Sequence, residues 1–173
     1  MDDMDHDLDH RILSAFHARG ADPRVASAAR GLSLAGEHGA LWLAAGFAGA
    51  AVDGARRGSW LRGTALVAGA HLASMGVKRL VRRARPTHVE PLVRTAGRHS
   101  FPSSHAASAA AAAVAFGALG ASGAYAVPPL AVAMCVSRLV AGVHYPSDVA
   151  AGAALGALTA RAGTRWMRGS AHG

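Results

Sequence analysis

The chain has 173 residues, 51% hydrophobic, 16% charged and 5% aromatic, with a formal net charge of +8. That length suits one domain of the usual roughly 100–200 residues, and the apolar content excludes a disordered chain. A single cysteine, Cys135, excludes a disulfide scaffold and a cysteine-based zinc site, while the charged share lies below the roughly 25% of soluble domains.

The first nine residues hold five of the ten acids, from Asp2 to Asp9. No basic segment precedes an apolar run there, so the start does not read as a secretory signal. His6 and His10 read as part of a solvated acidic stretch rather than a chelating pair. Leu8, Ile12, Ala15 and Phe16 recur at helical spacing, which predicts an amphipathic helix over residues 8–18 that lies on a membrane or caps a bundle. Five apolar stretches follow: Leu32–Val52 (interrupted by Glu37-His38), Trp60–Val77, Ala106–Ala121, Val127–Val136 resuming at Leu139–Val143, and Val149–Ala160.

A hydrocarbon core of ~30 Å needs ~20 helical residues, which several of these stretches reach only with their flanks. A soluble Ala-rich bundle would instead need a polar face on each helix, and hardly any helix face beyond residue 30 is charged. Gly46, Gly49, Gly69, Gly76, Gly117, Gly120, Gly152 and Gly156 fall at intervals that favour close helix contact in lipid. The expectation is an all-α, integral-membrane bundle of about five spans with an N-terminal amphipathic helix. Its parts are residues 1–31 (tail and amphipathic helix), 32–168 (membrane domain) and 169–173 (tail). Trp42 and Trp60 read as interface anchors, Cys135 as a small core residue, and His71 as facing the bundle interior or a site mouth.

Polar residues gather at three places: Lys78 to Pro86, Phe101 to His105, and Ser137 to Asp148. In the five-span topology all three lie on one side of the membrane. Lys78, Arg85 and Arg138 offer a clamp for a phosphoryl dianion, guanidinium groups as forked donors and lysine as a compact charge. Ser103, the backbone amides near Ser104 and the helix starting near His105 add donors. Pro146 suits the first position of a helix, which places Asp148 in its first turn, able to bond back to His144. Such a bond fixes the imidazole tautomer and frees the other nitrogen to attack phosphorus. His105 remains to protonate the leaving oxygen. This set reads as phosphoryl transfer through a phosphohistidine, with cationic side chains in place of a metal and no cofactor.

Lys-x6-Arg-Pro, Pro-Ser-x-His and Ser-Arg-x5-His-x3-Asp, in this order over residues 78–148, resemble the three motifs of the type 2 phosphatidic acid phosphatase superfamily. That superfamily comprises lipid phosphate phosphatases and vanadium-dependent haloperoxidases. The resemblance implies that Lys78, Arg85, Ser103, Ser104 and Arg138 bind phosphate, that His105 is the acid, His144 the nucleophile and Asp148 its orienting partner. The family's usual Pro-Ser-Gly-His has Gly where this chain has Ser104, and the amphipathic helix stands where membrane members commonly have a first span. A closer resemblance, carried by Gly31-Leu32-Ser33-x-x-Gly36-Glu37-His38, Trp42-Leu43 and the arginines before Pro86, is to a short actinobacterial subgroup. That subgroup includes phosphatases of decaprenylphosphoryl-5-phosphoribose, a cell-wall arabinan precursor. Glu37 and His38 are either a helix-start pair or contacts to the substrate headgroup.

The implied partners are a lipid phosphate and the bilayer, not nucleic acid, for which aromatic platforms are lacking; the oligomeric state is open. The motifs read phosphate rather than the lipid behind it. Undecaprenyl diphosphate, phosphatidylglycerophosphate and phosphatidic acid therefore stand as alternative substrates, and a basic membrane- or nucleic-acid-binding module as the alternative class. Arg79, Arg82, Arg83, Arg94 and Arg98 read mostly as interfacial anchors or headgroup contacts rather than catalytic residues. Twelve of the eighteen lysines and arginines fall on the site's side, nine against six without the clamp. The positive-inside rule thus favours a cytoplasmic-facing site in the cell membrane, against the outward-facing site usual for the family.

Overall fold

Helix α1 runs Asp2–Ala18, so the acidic opening is continuous with the amphipathic helix expected after it. The structure, a computed structural model, describes residues 2–95, 97–120 and 125–168, the side chains of residues 2–6 and 168 excepted. His6 and the expected tail at 169–173 therefore lie outside what is described. Leu13 of α1 is fully buried in a small core with Ala106, Leu139, Tyr145 and Val149, so this helix caps the bundle.

Helix α2 (Pro23–Ala35) starts where Asp22 accepts the Arg24 amide at 2.7 Å and Pro23 takes the first helical position. The composition-based boundary at 31/32 falls inside it. His38 (φ 52°) and Gly39 (φ 76°) then adopt left-handed backbone, which ends the helical path. The apolar stretch Leu32–Val52 is thus split, and only α3 (Ala40–Val52, 13 residues) is one straight helix. Asp53 closes the next turn by accepting from the Arg56 amide and side chain and from the Trp60 indole.

Helix α4 (Arg57–Val81) ends at Arg82, again left-handed at φ 53°. After a loop pinned by an Ala84–His99 bridge come α5 (Ser104–Gly117), α6 (Val127–Val140) and α7 (Pro146–Arg168). α5 is the central helix, packed by α4, α6 and α7. A Cβ on Gly152 would stand 2.3 Å from the Ser103 carbonyl oxygen, and one on Gly156 2.0 Å from that of Ala107. Only glycine permits this approach of α7 to α5. Gly46 and Gly49 likewise admit Thr64 and Trp60, whereas Gly69, Gly76, Gly117 and Gly120 have open space around them.

The main core joins Trp42, Trp60, Phe116, Met134 and Met167. Trp42 is 1% and Trp60 7% exposed, so neither is an interface anchor; they fill the space the small residues leave. Cys135 packs at the edge of the smaller core. The fold is all-α, with no strand among the described residues. No helix among them is long and apolar enough to cross a membrane. The lengths and charges of these helices account for that: α5 and α6 have 14 residues each, and the longer α4 carries Arg57, Arg62, Lys78 and Arg79.

Candidate active site

The last turn of α4, the first turn of α5 and the α6–α7 link meet around a cavity of about 420 Å³. Lys78, Arg85, Ser104, His105, Arg138 and His144 all line it, so residues far apart in sequence share one cavity. Glu37, His38 and His71 line it too, from the kink after α2 and from α4. Ser103 does not. Its buried hydroxyl accepts from the Ala106 amide at 3.4 Å and caps α5, away from the cavity lining. Ser104 brings its side chain to the cavity and donates to the Met75 sulfur at 3.8 Å.

Three cations are held by neutral partners, which leaves their charge to an anion. Lys78 donates to the His99 carbonyl at 3.4 Å. Arg85 donates to the carbonyls of Gly97 at 2.8 Å and Val143 at 2.7 Å. Arg138, 2% exposed, donates to the Ser33 hydroxyl, and its Nε has no partner among the described residues. A buried, unpaired cation of this kind is costly without a counter-charge; a bound phosphoryl group would supply one.

The two histidines differ in what fixes their protons. Nε2 of His105 lies 3.2 Å from the Ser33 carbonyl oxygen. A carbonyl only accepts, so that nitrogen carries a proton. His144 is 3% exposed, with Nε2 3.4 Å from Arg85 Nη1 on the cavity side. Its Nδ1 faces Oδ2 of Asp148 at 3.6 Å, longer than the roughly 2.7–3.2 Å of an N–H···O hydrogen bond. The expected pair is therefore aligned but not closed. Burial pushes His144 down to about 4, against the pull of Asp148 and with Arg85 and Lys78 adding to the effect. At neutral pH its free base faces the cavity, the form a nucleophile requires.

Asp148 is fully buried and its oxygens are engaged elsewhere: Oδ1 accepts from Arg83 at 2.9 Å and Oδ2 from the Tyr145 amide at 2.8 Å. Arg83, read from sequence as an interfacial anchor or headgroup contact, is instead the carboxylate's cationic partner. In a run of five basic residues between 78 and 85 nothing local distinguishes it. Ser33, which touches both Arg138 and His105, was legible only as part of the Gly31–His38 motif. Among the described residues no group of three or more His, Cys, Asp or Glu side chains is arranged to hold a metal ion.

A family model described as the PAP2 superfamily matches residues 60–171, leaving α1 to α3 outside the matched stretch. A protein of Mycolicibacterium smegmatis named decaprenylphosphoryl-5-phosphoribose phosphatase is 43% identical over 156 residues, 88% of this chain and 84% of that protein. One of the same name from Mycobacterium tuberculosis is 45% identical over 139 residues, 78% of this chain and 76% of that protein. Among solved structures, a transmembrane PAP2 type phosphatidylglycerolphosphate phosphatase from Bacillus subtilis shares the fold. Its TM-score is 0.55 at 22% identity, with 90% of each chain covered.

Proposed function

The chain belongs to the PAP2 superfamily, and on that premise we propose that it is a membrane phosphatase hydrolysing a lipid-linked phosphomonoester, with decaprenylphosphoryl-5-phosphoribose as its substrate. One observation carries the chemistry: Nε2 of the buried His144 and the Lys78, Arg85 and Arg138 cations face one cavity whose lining holds a single carboxylate, Glu37, among the described residues. The named relatives support the choice of lipid.

Nε2 of His144 attacks phosphorus while Lys78, Arg85, Arg138 and Ser104 hold the phosphoryl oxygens. The bond from phosphorus to the ester oxygen breaks, and His105, as the imidazolium formed by a proton taken up with the phosphoryl dianion, keeps Nε2–H on the Ser33 carbonyl and gives its Nδ1 proton to that oxygen. Water then attacks the phosphohistidine and yields its proton to His105, releasing inorganic phosphate and restoring His144. Asp148 holds Nδ1–H of His144 and balances the charge on the phosphorylated imidazole. Preorganised cations neutralise the developing charge, so the route calls for no metal. Glu37 and His38 line the same cavity, which supports reading them as contacts to the headgroup.

Membrane placement is supported by large apolar side chains left exposed on several helices, among them Phe47, Val52, Leu72, Leu80, Val132 and Leu158. The decisive experiment is phosphate release in detergent and EDTA from decaprenylphosphoryl ribose phosphate, undecaprenyl diphosphate, phosphatidylglycerophosphate and phosphatidic acid side by side. Preference for the first is expected. Preference for another changes the substrate, and dependence on a divalent metal overturns the histidine route. Accessibility tags at both termini test the cytoplasmic-facing orientation.

A further inference from the structure

We infer that Asp9, on the N-terminal helix, is a positioning residue of the reaction: it holds Arg83, which holds Asp148 in line with His144. The inference rests on the reading of His144 as nucleophile given above, and it makes α1 part of the catalytic apparatus rather than a membrane tether.

The contacts form one continuous chain. Arg83 forks: Nη1 donates to Asp148 Oδ1 at 2.9 Å and to the Ser147 hydroxyl at 2.6 Å, and Nη2 donates to Asp9 Oδ2 at 2.9 Å. The same guanidinium lies 4.2 Å from the centre of the Tyr145 ring, which blocks it from swinging away. Asp9 is 8% exposed and also accepts the Ser147 amide at 3.0 Å and the Ser147 hydroxyl. It thereby caps the first turn of α7 from 138 residues away, where a carboxylate is favoured by the helix dipole.

These bonds decide the direction of the Asp148 carboxylate. The Tyr145 amide holds Oδ2 at 2.8 Å and Arg83 holds Oδ1 at 2.9 Å, and the two bonds together set the plane in which Oδ2 faces Nδ1 of His144. Arg83 has two carboxylates to satisfy, Asp148 through Nη1 and Asp9 through Nη2, so Asp9 fixes the end of the guanidinium that Asp148 does not hold. Without Asp9 the guanidinium is free to follow Asp148 or Ser147 alone, and the alignment with Nδ1 of His144 is no longer fixed. Leu13 and Phe16 hold α1 against α6 and α7, which gives the Asp9 carboxylate a rigid base. Misplacement of about 1 Å at a reacting group can cost on the order of 100-fold in rate.

The test uses the full chain in detergent with phosphatidic acid and p-nitrophenyl phosphate as probes. Asp9→Asn, which preserves shape, is expected to lower kcat by about 10- to 100-fold with KM changed less than about 2-fold, and Asp9→Glu to restore most of the loss. Asp9→Asn added to Arg83→Gln is expected to cost nothing further, since Asp9 acts through Arg83. A readout without turnover uses inorganic vanadate, which takes a histidine nitrogen as a ligand, beside inorganic phosphate, which the cations alone hold. Asp9→Asn should weaken vanadate binding and leave phosphate binding unchanged. Unchanged kcat and vanadate affinity in a folded Asp9→Asn protein overturn the inference, as do additive losses in the double variant. A wild-type protein that releases no phosphate, yet shows the vanadate split, overturns the proposed function and leaves the Asp9 relay standing.

Discussion

Oδ2 of Asp148 stands 3.6 Å from Nδ1 of His144, pointed at it but beyond hydrogen-bond reach. Bonds of this kind often tighten when substrate is bound, and here the incentive is specific. Once phosphorylated at Nε2, the imidazole carries a positive charge that Asp148 can balance. Asp148→Asn keeps the shape and removes that charge. We expect kcat to fall by about 10²- to 10⁴-fold, as for other orienting carboxylates. A loss of less than about 10-fold in phosphate release would remove Asp148 from the mechanism.

Leaving groups separate the roles of the two histidines. His144 forms the bond to phosphorus, so His144→Ala should abolish turnover of every substrate. His105 donates a proton to the departing oxygen, a contribution of about 10²- to 10⁴-fold when that oxygen is a poor leaving group. A nitrophenolate needs little such help. His105→Ala should therefore lose most of its activity on a lipid phosphate and recover much of it on p-nitrophenyl phosphate. Equal losses on both would assign His105 to binding. Rapid quenching with radiolabelled substrate should find phosphate on wild-type protein and none on His144→Ala.

The glycines divide by what surrounds them. At Gly156 a Cβ would lie 2.0 Å from the Ala107 carbonyl oxygen, and backbone on both sides cannot yield cheaply. Gly156→Ala should cost about 1–3 kcal/mol or more and lower the unfolding temperature. Gly76, inside α4 with open space around it, should behave in the opposite sense. Gly76→Ala gains about 0.5–1 kcal/mol from helix propensity. Thermal unfolding in detergent checks both signs.

The clamp and the nucleophile were legible because their chemistry demands fixed residue types at local spacing: Lys78 and Arg85 seven residues apart across the end of α4, and His144 and Asp148 four residues apart around Pro146. Helix positions followed the apolar periodicity for the same reason. What escaped was set by tertiary contact. Asp9 looks like any acid in a charged stretch, and only the docking of α1 brings it to Ser147 and Arg83. The split of Leu32–Val52 escaped because its apolar content continues through His38 and Gly39, while the backbone there turns left-handed. Glycine spacing was a mixed guide: four of the eight named positions sit at close contacts and four do not, since period alone does not say which helix face meets a neighbour.

The burial of His144 also sets how the protein responds to acid. In the unfolded chain this histidine titrates near the ordinary value of about 6.5, whereas burial lowers it to about 4 in the fold. Above pH 6.5 both states leave it neutral, and stability does not depend on it. As pH falls from 6.5 through 4 the unfolded chain takes up a proton that the fold refuses, so stability is lost across that window, by on the order of 3 kcal/mol at its foot. His144→Gln, which cannot be protonated, removes this contribution. The drop in unfolding free energy between pH 7 and pH 4 should thus be smaller for His144→Gln than for wild type. Identical drops would mean that His144 charges freely in the fold. Its lone pair would then be protonated in mild acid, and attack on phosphorus would require the site to expel that proton first.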